Sequence, residues 1–153
     1  MIADIVAQDS EDRIFLVVEV KPWPGGPAAA ADFAERLHRE VPTLSYGMFV
    51  DLDHIIVYDP GLPPGESEML RLRTRPVLET YSEEFADAGI GKNSPQVLED
   101  YTRVLTEAWL ADVGRHWKLA EPPSAAELRR IGLAALLREG TTRMEVLLAE
   151  ALR

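Results

Sequence analysis

The sequence predicts an α/β domain in which a mixed central sheet is flanked by helices. Two apolar, β-forming segments, 1–6 and 16–21, enclose a short polar stretch that has the composition of a turn. A helix-forming segment follows at 28–40, and two more apolar β segments, 46–50 and 55–58, surround a short polar loop. This order of hairpin, helix and hairpin is typical of a sheet covered by helices.

Length and composition favour one domain that spans residues 1–153. A hydrophobic fraction of 46% with 27% charged residues is ordinary for a globular protein. The chain contains no cysteine, which excludes disulfides, thiolate zinc sites and a cysteine nucleophile. It has neither a run of eighteen apolar residues nor a secretory signal pattern. We therefore expect a cytoplasmic protein with no membrane partner.

Two carboxylates and one ammonium group are predicted to meet at the end of the first hairpin. Glu19 and Lys21 share one face of their strand, because side chains alternate with period two. A turn centred between Glu11 and Asp12 places Asp4 opposite Glu19. Directly opposed residues have Cβ atoms about 4.5–5.5 Å apart. Carboxylates at that spacing repel unless a cation or a proton intervenes, so the pattern predicts an oxygen-ligand site for Mg²⁺.

Asp4, followed after the hairpin by Glu19-x-Lys21, resembles the PD-(D/E)XK nuclease superfamily, whose members share the restriction-endonuclease-like fold. Ala3 replaces the proline that is frequent in the family, and the helix and hairpin after Lys21 also fit. The resemblance covers about the first sixty residues. Family members usually have a helix ahead of the first Asp, whereas Met1 lies only three residues before Asp4. A truncated gene start, a helix from another subunit or a later segment, and a degenerate member all remain open.

The resemblance implies a metal-dependent nuclease. Asp4, Glu19 and the carbonyl group of Val20 would hold Mg²⁺ or Mn²⁺. Asp4, Glu19 and Lys21 would be the catalytic residues. Lys21 would orient or deprotonate the attacking water, or would stabilise negative charge on the phosphate. The substrate would be a nucleic acid. The alternative is a non-catalytic nuclease-like domain that serves as a protein-interaction or structural module.

Several other polar residues are expected to have structural roles. In the family, the helix after E-x-K commonly carries a polar residue that supports the site, and Glu35 and Arg36 are the candidates here. For both residues, the sequence pattern favours a position on the solvent-exposed face of the helix. Asp51, Asp53 and His54 superficially suggest metal ligands, but aspartates between two apolar segments are typical of a β-turn. We therefore expect a turn at 51–54.

Charge weighs against tight binding of duplex nucleic acid. The formal net charge is −10, and residues 1–60 hold four basic against eleven acidic residues. Affinity for nucleic acid depends largely on basic residues that neutralise phosphates. The alternating Arg71, Arg73 and Arg75 are the candidate backbone contacts. Trp109 and Trp117 are expected in the core or in an interface, and a homodimer or a protein partner is plausible.

The second half of the chain predicts helices followed by a strand. Ser94 and Pro95 provide an N-cap and a first helical residue for the longest helix. Ser124 and Glu127 have the spacing of a capping box, which predicts the start of another helix that runs to about Arg138 and ends at Gly140. The tail at 141–148 alternates and is expected to add a last strand to the sheet.

Overall fold

The computed structural model describes residues 2–21, 26–87 and 95–147 of this chain. Its strands are β1 (Ile2–Gln8), β2 (Ile14–Val20), β3 (Tyr46–Val50), β4 (His54–Tyr58), β5 (Glu68–Arg73) and β6 (Thr141–Leu147). Its α-helices are α1 (Gly26–Glu40), α2 (Thr74–Leu78), α3 (Pro95–Arg115), α4 (Ala125–Arg130) and α5 (Leu133–Glu139), and short 3₁₀ turns occur at Pro64–Glu66 and Glu83–Asp87. Within these ranges, no helix combines the length and apolar character needed to cross a membrane.

The strands form a mixed sheet in the order β5-β4-β3-β2-β1-β6. β2 and β3 run parallel because α1 carries the chain from the end of one strand back to the start of the next. The other neighbouring pairs in the described sheet are antiparallel. The predicted mixed sheet flanked by helices is therefore confirmed, and so is a last strand after residue 140.

Two hydrophobic cores lie on opposite faces of this sheet. Leu16, Val18 and Val20 point from β2 into the larger core, which also contains the fully buried Trp109 of α3. Val17 points into the smaller core, where α1 packs. This alternation agrees with the period-two pattern of the sequence. The result for the site is that β2 lies between α1 on one face and α3 on the other.

The structure differs from the sequence prediction at the C-terminal helices. Ser124 precedes α4, but its backbone is left-handed, with φ of 58°, and its side chain makes no capping hydrogen bond. The predicted capping box is therefore wrong. The helical segment is also divided in two at Gly132, whose φ is 85°. Trp117 is 56% exposed and not in the core, while Ser94 lies outside the described residues.

Candidate functional site

The first hairpin has the predicted register in its central part. Ile5 pairs with Val18, and Val6 pairs with Val17, whereas near the turn the register shifts by one residue and Gln8 pairs with Ile14. The predicted pairing of Asp4 with Glu19 is not part of this ladder. The backbone ladder recorded between β1 and β2 ends at Ile5. Beyond it, Oδ2 of Asp4 accepts a hydrogen bond of 2.7 Å from the backbone N–H of Val20. The Asp4 carboxylate thus takes the place of a backbone acceptor where the two strands separate.

Glu19 is held by an arginine from α1. The Glu19 residue is only 9% exposed, and Nη2 of Arg36 lies 2.7 Å from both of its carboxylate oxygens. Nε of Arg36 also lies 3.3 Å from Oδ2 of Asp32, one helical turn earlier. The expectation that Arg36 occupies a solvated helix face is therefore wrong. The reason is that α1 crosses directly above β2, which brings Arg36 over a buried carboxylate.

A second arginine approaches Asp4 from the opposite face of the sheet. Nη1 of Arg103, on α3, lies 4.0 Å from Oδ1 of Asp4, and Nη2 of Arg103 donates to Asp100 at 2.7 Å. Burial raises the pKa of Asp4, and the negative charge of Glu19 raises it further. The Val20 N–H and the Arg103 charge act in the opposite direction without cancelling the shift. Asp4 therefore carries an electrostatic cost when it is ionised.

Lys21 and Glu99 both interact electrostatically with Asp4. The Lys21 N–H donates to the Val50 carbonyl group at 2.8 Å, and its side chain is exposed. Burial raises the pKa of Glu99, and the negative charge of Asp4 adds to this shift, while the positive charge of Lys21 opposes it. Sequence reasoning missed Glu99 and Arg103, because both lie on a helix far along the chain and no local motif marks them.

The residues present match a hard divalent cation in kind, but not in their present arrangement. Asp4, Glu19 and the Val20 carbonyl group supply the oxygen ligands that Mg²⁺ prefers. Over residues 2–21, 26–87 and 95–147, however, no group of three or more His, Asp or Glu residues is arranged to hold a metal ion. Both oxygens of Glu19 already accept hydrogen bonds from Arg36. A cation would therefore use Glu19 only after Arg36 moved away.

The aspartates at 51–54 form the expected turn. Oδ1 of Asp51 accepts hydrogen bonds from the backbone N–H groups of Asp53 at 2.8 Å and of His54 at 2.7 Å. This pattern, in which an aspartate side chain accepts from residues two and three positions later, stabilises a tight turn. The structural interpretation of this segment is confirmed.

The arginine stripe is exposed at one edge of the sheet. Arg71 and Arg73 lie on β5, which has β4 as its neighbour in the described sheet, whereas Arg75 lies on α2. Arg71 forms an ion pair of 2.7 Å with Glu68. All three arginines are thus exposed. Only Arg71 and Arg73 alternate along a strand as predicted, because Arg75 lies on the helix that follows.

The fold and this cluster define a mixed α/β protein with two neighbouring carboxylates, Asp4 and Glu19, at the end of a β-hairpin. Comparison with protein-family models, with curated proteins and with solved structures gives no match to this chain. The case for a function therefore depends on the residues themselves.

Proposed function

We propose that this chain is a divalent-cation-dependent phosphodiesterase of the PD-(D/E)XK class that acts on nucleic acid. The observation that carries the proposal is the position of Asp4 and Glu19 at the separating ends of β1 and β2. The Asp4 carboxylate replaces a backbone acceptor there, and Glu19 contributes to the raised pKa of Asp4. Two neighbouring, part-buried carboxylates are a typical setting for a cation.

The proposed roles follow from the chemistry of each group. Asp4, Glu19 and the Val20 carbonyl group would hold Mg²⁺ or Mn²⁺, which would polarise the scissile phosphate and lower the pKa of a bound water. The exposed Lys21 extends beyond the end of β2, next to these carboxylates in the chain. Its ammonium group would donate to a phosphate oxygen and stabilise the negative charge that develops there, or would orient the attacking water.

The topology also supports a restriction-endonuclease-like fold. An antiparallel hairpin is followed by α1, by the parallel strand β3 and by the antiparallel strand β4. Arg103 of α3 approaches Asp4, and Glu99 lies on the same helix one turn earlier. In a nuclease of this class, α3 would provide helical residues next to the first Asp.

Cation binding and cleavage by the same samples test this proposal. Isothermal titration calorimetry with Mg²⁺ and Mn²⁺ would compare the wild type, Glu19→Gln and the control Glu11→Gln, whose side chain is 70% exposed in the hairpin turn. We expect Glu19→Gln to lose both cation binding and cleavage of single- and double-stranded DNA and RNA, and Glu11→Gln to retain them. Loss of both in the control, or cleavage by Glu19→Gln, would refute the proposal.

A second candidate function is favoured by one specific observation. Arg36 satisfies both oxygens of Glu19, so the buried carboxylate already has its counter-charge without a metal ion. Together with the net charge of −10, this pairing favours a non-catalytic nuclease-like module that binds a protein partner or a second copy of the chain. In that case the wild type binds no divalent cation at millimolar concentration, and Glu19→Gln changes only its stability. A cytoplasmic location remains a prediction under either function.

A further inference from the structure

We propose that a cleft between α1 and the strands β4 and β5 binds a small amphipathic amine, whose ammonium group contacts Asp51 and Tyr58. The cleft has a volume of about 470 Å³. Small-molecule sites in proteins typically have volumes of about 300–1,000 Å³. Asp4, Glu19 and Lys21 do not line this cleft. The inference is therefore independent of the proposed phosphodiesterase activity.

One wall of the cleft is apolar. Helix α1 contributes Ala30, Ala31 and Ala34, and strand β4 contributes Ile56. Ala30 and Ala34 lie four residues apart, so they share the face of α1 that is buried against the sheet, whereas Ala31 is exposed at the opening. The small side chains of these alanines leave the space open. An apolar ligand group placed here would be shielded from water by carbon atoms of both elements.

The Tyr58 hydroxyl is a buried polar group that lacks a partner. Tyr58 is only 4% exposed, and its hydroxyl makes no hydrogen bond within the described part of the chain. The oxygen is not fully enclosed either, so it borders open space. Burial raises the pKa of Tyr58, and the nearby carboxylates of Glu68 and Asp51 add to this shift, while the charge of Arg71 opposes it. Because these charged residues all line the cleft, the hydroxyl faces it.

Asp51 presents a second oxygen to the same cleft. The residue is 5% exposed, and its Oδ1 accepts hydrogen bonds from the backbone N–H groups of Asp53 and His54. Its Oδ2 makes no hydrogen bond with a described residue and is not fully enclosed. A carboxylate oxygen only accepts hydrogen bonds, so the group that satisfies it must be a donor. An ammonium group has three N–H donors and would satisfy both Asp51 and the Tyr58 oxygen.

The charges of the lining also favour a cation. Glu68 and Arg71 neutralise each other, since Nη2 of Arg71 lies 2.7 Å from Oε1 of Glu68. Asp51 and Asp53 remain, so the lining has an excess of negative charge when His54 is counted as neutral. Across the described ranges, no three or more His, Asp or Glu residues are arranged to hold a metal ion. Together with the apolar wall, these charges favour an organic cation.

Three ligands of similar shape test the class of compound. Isotope-labelled protein is titrated with phenethylamine, with the neutral phenethyl alcohol and with the anionic hydrocinnamate, and amide chemical shifts are followed by NMR. We expect the dissociation constant of the amine to be at least about tenfold below those of the other two. Its largest shifts should map to Ala31 and to the turn at 51–54. Equal affinity for the alcohol or the acid, shifts that map elsewhere, or no shifts at millimolar amine would overturn the proposal.

Tyr58→Phe tests the hydroxyl. This substitution should weaken amine binding about three- to tenfold, and it should not lower the unfolding temperature of the free protein, in which the hydroxyl has no described partner. The matched control is Tyr46→Phe, because the Tyr46 hydroxyl donates to the Ile131 carbonyl oxygen. The control should lower the unfolding temperature and change amine affinity by less than about twofold. A Tyr58→Phe variant that loses stability but not affinity would show that the hydroxyl is structural.

Asp51→Asn tests the charge, because it keeps an oxygen for the two backbone N–H groups of the turn. It should raise the dissociation constant of phenethylamine at least about tenfold. The control Asp9→Asn removes the same charge from another turn aspartate, whose Oδ1 accepts from the N–H groups of Glu11 and Arg13, and should have less than about a twofold effect. Equal effects of both substitutions would overturn the site. If Asp51→Asn does not fold, Ala31→Phe replaces it, since the larger side chain would fill the cleft and abolish binding.

Discussion

Leu37 occupies the space that a side chain at position 47 would need. A Cβ atom on Gly47 of β3 would lie 2.1 Å from Cδ1 of Leu37 on α1, and both residues are buried. Glycine therefore allows α1 to approach the sheet closely. Because Arg36 directly precedes Leu37, the same close approach helps to position the guanidinium above Glu19.

This relationship predicts non-additive effects on stability. Gly47→Ala should destabilise the protein by about 1–3 kcal/mol through overpacking. Leu37→Ala should cost about 2–5 kcal/mol because it leaves a cavity. The double variant should lose less than the sum, since the new methyl group enters the space that Leu37 vacates. Urea unfolding measures all three, and simple additivity would show that α1 and β3 adjust independently.

A second glycine is predicted to be needed for its backbone conformation. Gly132, between α4 and α5, has a φ of 85°, and a Cβ atom there would lie 2.9 Å from the Tyr46 hydroxyl oxygen. Gly132→Ala should cost about 1–2 kcal/mol from the left-handed backbone alone. The control is Gly65→Ala, because a Cβ atom at Gly65 would meet nothing within 4 Å. Thermal unfolding should separate the variants, and equal midpoints would contradict this account.

The raised pKa of Asp4 predicts how the stability change caused by Asp4→Asn depends on pH. A carboxyl group with a raised pKa binds its proton more tightly in the folded state, so its ionised form destabilises the fold at neutral pH. This cost disappears as the pH falls through the raised pKa towards the ordinary value of 3.8. Asp4→Asn, which keeps an oxygen for the Val20 N–H, should therefore raise the unfolding temperature at pH 7.

The gain from Asp4→Asn should decrease as the pH is lowered towards 4. Unfolding of the metal-free wild type and variant would be followed by circular dichroism over this range. A variant less stable than the wild type at pH 7 would mean that the Arg103 contact outweighs the burial of Asp4 and the repulsion from Glu19.

The exposed arginines at the sheet edge give a prediction that concerns nucleic acid. If Arg73 and Arg75 contact phosphates, replacing both with Gln should weaken binding of all sequences alike. Each lost contact should reduce the slope of log affinity against log salt by about 0.9 on duplex DNA. Fluorescence anisotropy at several salt concentrations measures the slope. Arg13→Gln, in the turn of the first hairpin, is the control, and an unchanged slope in the double variant would exclude this edge as the contact.

The predictable parts of this protein are those encoded locally. The register of β1 and β2 follows from two alternating apolar segments around a polar turn, and the turn at Asp51 follows from aspartate chemistry. The pairing of Glu19 with Arg36 could not be predicted, because it depends on how α1 crosses the sheet. The capping-box motif at Ser124 gave a wrong prediction, because the Ser124 backbone is left-handed and its side chain makes no capping hydrogen bond.

The pairing of β6 with β1 has a consequence for biosynthesis. Ala3 pairs with Val146 in the sheet, so two residues that are far apart in the sequence are neighbours in the fold. On the ribosome, β1 can join β2 early, but among the described strands its other edge is filled only by β6, after residues 141–147 have emerged. Until then that edge of β1 is open, and an open edge can pair with other chains. Asp4 lies on β1, so the surroundings of the candidate site are complete only when β6 has joined the sheet.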